Sequence, residues 1–329
     1  MKVLVTGANG LLASNLVREL INSGYEVRAM VRENSNLLSL KKVDVEIFKG
    51  EITNQQDVRR AFAGCEVVVH AAANTNQWPT NYEAYRKTNV DATQSILDEA
   101  VRRNVERFIF VGSANAFDPG AKNSPGTEDS PFSPTGKSGY MKSKYQAQKL
   151  VLNEQHRSGL PALVVNPTFM LGKYDGKPSS GQIILMAQKK SLMAYPSGGK
   201  NFVHVADVAR GIVNAISMGK PGECYLMANE NLSYRDFFEK LRLVKGQAQL
   251  LFKIPSQFIH LAGSIGSLYE NLSGKPAKLN SVNARLLCTD NYYSPAKAVR
   301  ELNMPQTPVI KAIEDALEWF AQYGYLSGN

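Results

Sequence analysis

Short, almost wholly apolar runs alternate with amphipathic stretches along the first half of the chain. Lys2–Thr6 (KVLVT), Glu26–Arg32 (EVRAMVR), Val43–Lys49 (VDVEIFK), Val67–Ala71 (VVVHA), Arg107–Val111 (RFIFV) and Ala162–Asn166 (ALVVN) read as strands. Between them, Leu11–Ser23, Gln55–Phe62, Tyr82–Arg103 and Tyr140–Arg157 carry helical patterns, the first stopped by Asn22-Ser23-Gly24. Strands alternating with helices predict βαβ units. Runs that are apolar throughout, rather than at every second position, predict parallel strands buried on both faces. The expected fold class is therefore α/β, with a doubly wound parallel sheet.

Past Asn166 the texture changes. Pro167, Gly172, Gly176, Pro178 and Gly181 mark a long loop, of the kind that carries function after a parallel strand. Phe202–Val205 and Glu223–Met227 read as further strands around a helix, Ala206–Ser217. From Ser233 onward the pattern is mostly helical: Ser233–Leu243, Ser256–Leu272, Ser281–Leu287 and Val309–Tyr323. Residues 1–167, rejoined by 200–229, are expected to form one domain, and 168–199 with 230–329 a smaller, mostly helical lobe. The segment Leu250–Leu272 is the most apolar of the second half. It is expected to cover the core of that lobe; docking on a membrane surface is the alternative.

Composition narrows the classes. At 329 residues the chain suits two domains or one large α/β unit with an appended lobe. Cys65, Cys224 and Cys288 are scattered and odd in number, so neither a disulfide framework nor a CxxC metal pair is expected, and the compartment is expected to be reducing and cytoplasmic. Lys and Arg outnumber Asp and Glu by 38 to 29, a net +9 that favours anionic ligands or surfaces, though solvated lysines are the ordinary reading. The basic residues form no helical stripe with interleaved aromatics, so nucleic acid is not an expected partner. No run approaches the ~18 apolar residues of a membrane span, and the first apolar run is too short for a leader. His70, His156, His204 and His260 lack ligand spacing, and no metal is expected.

The first chemical motif is Thr6-Gly7-Ala8-Asn9-Gly10-Leu11-Leu12-Ala13, directly after the first strand and opening a helix. A tight turn at Gly7, close backbone approach at Gly10 and a helix N-terminus aimed at an anion make a phosphate cradle of the Rossmann type, with Asn9, Leu11 and Leu12 around it. Ala13 takes the third glycine's place. Arg32, at the end of the second strand where an acidic residue would accept from a ribose 2′-OH, suits a 2′-phosphate instead, so NADP(H) is favoured and NAD(H) remains possible. Arg28 lies four residues before it. Glu51 and Ile52 after the third strand are placed for an adenine ring, and the small Ala71, Ala72 and Ala73 after the fourth let backbone approach a cofactor.

The second motif is Tyr140-Met141-Lys142-Ser143-Lys144. Residues i and i+4 share a helix face. A nearby ammonium is expected to lower a phenol's pKa and fit it for general acid–base work. Ser113, at the end of the fifth strand, can hold a substrate oxygen toward Tyr140. Neither a G-x-S-x-G elbow nor H-E-x-x-H is present. Asn74, Thr75, Tyr174 and Ser180 are candidate substrate residues by position.

With TGANGLLA at 6–13, HAAA at 70–73, Asn89-Val90, VGSANAF at 111–117, YMKSK at 140–144, NPTFMLG at 166–172 and NFVHVADVA at 201–209, the chain resembles the extended short-chain dehydrogenase/reductase family, also called the NAD-dependent epimerase/dehydratase family. Within it the chain is most similar to the branch of dihydroflavonol 4-reductases and 3β-hydroxysteroid dehydrogenases. The resemblance implies a Rossmann-type fold with a substrate lobe and Ser113, Tyr140 and Lys144 as the catalytic set. It also implies Asn89 as support for the cofactor or site backbone, and Pro167 near the nicotinamide carboxamide. Gln148 stands where the family often has an acidic residue. Ala114 and Asn115 after Ser113 lack the acidic neighbour usual in sugar-nucleotide dehydratases. The expected activity is hydride transfer between a nicotinamide and a carbonyl or alcohol of a small molecule, by a monomer or homodimer. A sugar-nucleotide epimerase and a non-catalytic NADPH-binding protein are the alternatives.

Overall fold

The computed structural model describes residues 1–76, 82–135, 137–188, 192–246, 250–275 and 277–326. In chain order the first part runs β1 (Lys2–Thr6), α1 (Leu11–Asn22), β2 (Glu26–Val31), β3 (Glu46–Lys49), α2 (Gln55–Ala61), β4 (Val67–His70), α3 (Tyr82–Tyr85), a π-helical segment Arg86–Asp91, α4 (Ala92–Arg102), β5 (Arg107–Val111), α5 (Gly139–Ser158) and β6 (Ala162–Pro167). The second part runs β7 (Phe169–Leu171), α6 (Gln182–Gln188), β8 (Leu192–Tyr195), β9 (Gly199–His204), α7 (Val205–Met218), β10 (Cys224–Met227), β11 (Glu230–Ser233), α8 (Tyr234–Lys245), β12 (Leu250–Lys253), α9 (Ser256–Ser273), α10 (Ser281–Cys288), β13 (Asp290–Asn291), α11 (Ala296–Leu302) and α12 (Val309–Gln322).

Seven strands form one sheet in the order β3-β2-β1-β4-β5-β6-β10, every neighbouring pair parallel. This is the doubly wound Rossmann arrangement, whose strand order reverses between β1 and β4 and opens a crevice at their carboxyl ends. Both faces are covered, which is why the strands are apolar throughout. Val3 and Val5 of β1 pack with Leu16 and Leu20 of α1 and Val208 and Ile212 of α7. Leu4 faces the other way, toward Val58, Ile96 and Val151 of α2, α4 and α5.

A third core lies in the C-terminal lobe, around Phe202, Phe237, Ile313 and Phe320. The Phe202 and Phe237 rings stack at 4.5 Å. Strand β9 is thus part of the small sheet, pairing with β7, β11 and β13 rather than with the large sheet, whereas α7 and β10 return to the latter. A bridge ties the lobe to the loop after β5: Gly120 and Gly126 both donate to the Tyr292 carbonyl, and Tyr293 Oη donates to Phe117 O at 3.2 Å.

Two expectations need correcting. Val43–Asp44–Val45 is irregular, and β3 begins only at Glu46. More importantly, residues 250–272 meet the lobe's core only through Leu251 of β12 rather than along the helix: on α9 only Ile259 and Gly263 are buried. Among the described residues, no helix is long and apolar enough to cross a membrane.

Candidate active site

The phosphate cradle is built where β1 runs into α1. Gly7 has φ +67, and a Cβ there would lie 2.7 Å from Ala72 Cα, so the turn admits glycine alone. Gly10 caps α1 with no side-chain acceptor, and no acidic residue occupies the first turn. The leading N–H groups therefore carry their positive field into the crevice, the arrangement that binds a phosphate. Ala13 is buried between helix and sheet, as the tight packing there requires. Asn9 faces the loop after β2: its amide donates to Asn36 O at 3.2 Å, and its carbonyl accepts from Ser39 Oγ at 2.8 Å. Beneath the cradle, Thr6 Oγ1 lies 2.7 Å from His70 Nδ1, and His70 Nε2 lies 3.1 Å from Thr93 Oγ1. Burial pushes His70 down to about 3, so it is a neutral strut between β1, β4 and α4.

Around the cradle, Arg32 is exposed and enters no ion pair among the described residues. Arg28 is not a second partner for a phosphate. Its guanidinium is committed to Glu46 at 2.7 Å and to the carbonyls of Ala61 and Ala63. Glu51 is exposed, and Ile52 is half-buried against the core on the α2, α4 and α5 face of the sheet. Ala71, Ala72 and Ala73 line the exit of β4, with Ala72 N donating to Thr6 Oγ1.

The catalytic helix is set by Ser138, whose hydroxyl accepts from Met141 N and caps α5. That cap places Tyr140 in the first turn and Lys144 one turn later. Gly139 lets the helix approach Tyr85 closely, and the Tyr85 and Tyr140 rings meet edge to face at 6.4 Å. The Ser113 hydroxyl stands against the Tyr140 phenol and favours its ionised form, yet burial outweighs this and holds the phenol above its ordinary 10. Lys144 is 3% exposed. Its ammonium donates to Val111 O at 2.6 Å and lies 4.4 Å from the Phe110 ring centre; burial drives it down to about 7. The expected depression of the Tyr140 pKa by Lys144 is thus absent in this arrangement. Desolvation governs both groups, and the ammonium is turned to a carbonyl rather than to the phenol.

Asn89 sits on the π-helical segment, a helical defect common at functional sites. Its side chain donates to Asn74 O at 3.1 Å and Ser143 Oγ at 2.9 Å, and accepts from Asn74 N at 2.6 Å. It therefore clamps the backbone after β4 to the helix that bears Tyr140. A comparable clamp was not read from the sequence: Asn166 Nδ2 donates to Ser113 O at 3.0 Å and to Gln148 Oε1 at 2.7 Å. The neutral Gln148 has its consequence here, as the acceptor that orients Asn166.

Beside these groups lies a pocket lined by Ser113, Asn115, Pro167, Thr168, Lys200, Asn201, Leu286, Asn291 and Tyr293, among others. Lys200 points across the Phe169 ring at 5.0 Å, and burial lowers its pKa. Asn201 opens the NFVHVADVA motif, but Lys200, Asn291 and Tyr293 carried no sequence signal. Of the four positional candidates, Asn74 belongs to the Asn89 clamp and Thr75 is exposed nearby. Tyr174 is held by Arg18, 3.6 Å from its ring centre, and by Trp319, while Ser180 donates to Met170 O. Neither lines the Ser113 pocket. Among the described residues no cluster of His, Cys, Asp and Glu could hold a metal ion.

The NAD-dependent epimerase/dehydratase family matches residues 3–228. A putative dihydroflavonol 4-reductase of Synechocystis is 31% identical over 98% of this chain and 95% of its own length. Sterol demethylase protein B of Methylococcus capsulatus is 30% identical over 99% of this chain and all of its own. The crystal structure of gox2253 superposes with a TM-score of 0.86 at 29% identity, covering 98% of both chains.

Proposed function

The chain belongs to the NAD-dependent epimerase/dehydratase family, and from that premise we propose that it is an NADP(H)-dependent oxidoreductase acting on a carbonyl or alcohol of a small organic substrate. The observation that carries this reading is the meeting of the Ser113 and Tyr140 hydroxyls, with Lys144 on the same helix beneath them, in the region where β5 and β6 end.

The cradle fits a dinucleotide, since a Cβ at Gly7 would close it and the α1 N-terminus is left without a side-chain cap. Gly7, Asn9, Gly10, Leu11 and Leu12 are the residues that would hold the pyrophosphate, and Arg32 the 2′-phosphate. Glu51 and Ile52 would serve the adenine, Ala71, Ala72 and Ala73 the central backbone, and Lys144 and Pro167 the nicotinamide end. When bound, the nicotinamide supplies or accepts the hydride.

The chain's own part is proton handling. A phenol held above 10 is protonated at neutral pH, so Tyr140 begins as a general acid. It donates its proton to the substrate oxygen, which Ser113 holds by a second hydrogen bond. The resulting phenolate is stabilised by the Ser113 hydroxyl. Oxidation of an alcohol runs the same path backward and is expected to gain with rising pH. Asn89 and Asn166 act as positioning residues, fixing Ser143 and the Ser113 carbonyl. The epimerase alternative uses the same two hydroxyls, but an arginine at 32 in place of an acidic residue favours a phosphorylated ribose.

Fluorescence titration with both nucleotides tests the cofactor assignment. NADPH should bind at least tenfold more tightly than NADH. Arg32→Ala should weaken NADPH about tenfold or more, the size of a lost charge-assisted hydrogen bond, while NADH stays within about twofold. Tighter NADH binding by the wild type would overturn the assignment.

A further inference from the structure

Helix α9 turns its apolar stripe to solvent. Phe258, Leu261, Ile265, Leu268 and Leu272 recur every three or four residues and are 58–80% exposed, and Phe252 on the preceding strand β12 is exposed as well. The opposite face is fixed on α10. At Gly263 a Cβ would lie 2.5 Å from that of Ala284, and at Gly266 one would lie 1.8 Å from Leu279 O. The pair therefore packs only with the glycines inward and the stripe outward. Single exposed apolar side chains are ordinary on a soluble protein, whereas a continuous stripe along four turns marks an interaction surface.

The flanks carry charge of one sign. From Arg242 through Arg285, both counted, there are six Lys or Arg and a single carboxylate, Glu270. Glu270 is turned to Ala277 N and the Asn280 amide. Lys253, Lys275, Lys278 and Arg285 are exposed and enter no ion pair among the described residues.

We propose that this face docks on an anionic phospholipid surface, with α9 lying in the plane of the headgroups. The acyl region takes the stripe, and the lipid phosphates meet the lysines. Lys253 precedes the stripe and Lys275 and Lys278 follow it, where their stems can lie along apolar surface while the ammonium groups stay at headgroup level. A second copy of the chain fits less well, because pairing two such faces would bring like-charged flanks together. Leu286 of α10 lines the Ser113 pocket, so a single helix separates the docked surface from that pocket.

The test is flotation of the full chain with vesicles of phosphatidylcholine alone or with 30% phosphatidylglycerol. Recovery with the anionic vesicles should exceed that with the neutral ones at least fivefold, and should fall in 0.5 M salt. Leu261→Glu/Leu268→Glu, and separately Lys275→Glu/Lys278→Glu, should each lose that recovery while melting and eluting as the wild type does. Equal flotation with neutral vesicles, or none with anionic ones, would overturn the proposal. So would a stripe variant that floats like the wild type, or one that changes only the oligomeric state. No turnover is needed for this readout, so it stands or falls apart from the proposed reaction.

Discussion

Tyr140→Phe is expected to lower kcat for carbonyl reduction about a thousandfold, the usual worth of a positioned general acid, while the Kd for NADPH stays within about twofold. Phenylalanine keeps the ring and its edge-to-face contact with Tyr85, so α5 should remain seated. What disappears is one hydroxyl beside Ser113. Ser113→Ala should cost less, because Tyr140 can still donate to the substrate oxygen. Stopped-flow measurement of NADPH oxidation, with cofactor titrations alongside, separates lost chemistry from lost binding. A Phe variant that turns over at the wild-type rate would remove Tyr140 from the mechanism.

Lys144→Met should stabilise the protein while inactivating it. The ammonium is buried with a backbone carbonyl as its hydrogen-bond acceptor, and burial lowers its pKa from 10.5 to about 7. The folded state therefore disfavours the proton that the unfolded chain holds up to pH ~10.5. Between pH 7 and 10.5 the unfolded state binds more protons, so this group's contribution to stability rises with pH, and the penalty is full below pH 7. At about 1.4 kcal/mol per pKa unit the penalty at neutral pH is several kcal/mol. Leaving Val111 O without its donor returns about 1 kcal/mol or more of it. The expected net gain for the Met variant is about 2 kcal/mol at pH 7, shrinking toward zero or reversing by pH 10. Urea unfolding at the two pH values reads the difference. A variant less stable than the wild type at pH 7 would contradict the assigned burial cost. In the proposed mechanism the residue is kept for the nicotinamide end of the site, a common compromise between stability and activity.

The strands of the large sheet were legible because burial on both faces forces apolar runs, and β1, β5 and β10 fall within a residue of where the pattern put them. The short strands β8 and β12 were not: each is held by a partner some 60 residues away, and neither has a turn signal or alternation of its own. Residues 250–272 failed for a different reason. Hydrophobicity read as burial, but Gly263 and Gly266 decide which face packs, and they present the small side rather than the apolar one. At the site, the cradle and the Tyr140–Lys144 pair announce themselves by spacing. The pocket wall does not, because Lys200 arrives from one segment of the lobe and Asn291 and Tyr293 from another, and the two share no pattern. The direction of the Tyr140 shift was also illegible, since it depends on where the Lys144 ammonium points, and that is toward Val111.

The central claim is net transfer of a hydride to a carbonyl carbon, and labelled cofactor tests it most directly. NADPH deuterated at both C4 positions should deliver one deuterium to the carbinol carbon of an isolated alcohol product for each NADPH consumed. An alcohol product without deuterium, or a sugar nucleotide isomerised with no net oxidation of the cofactor, would contradict it.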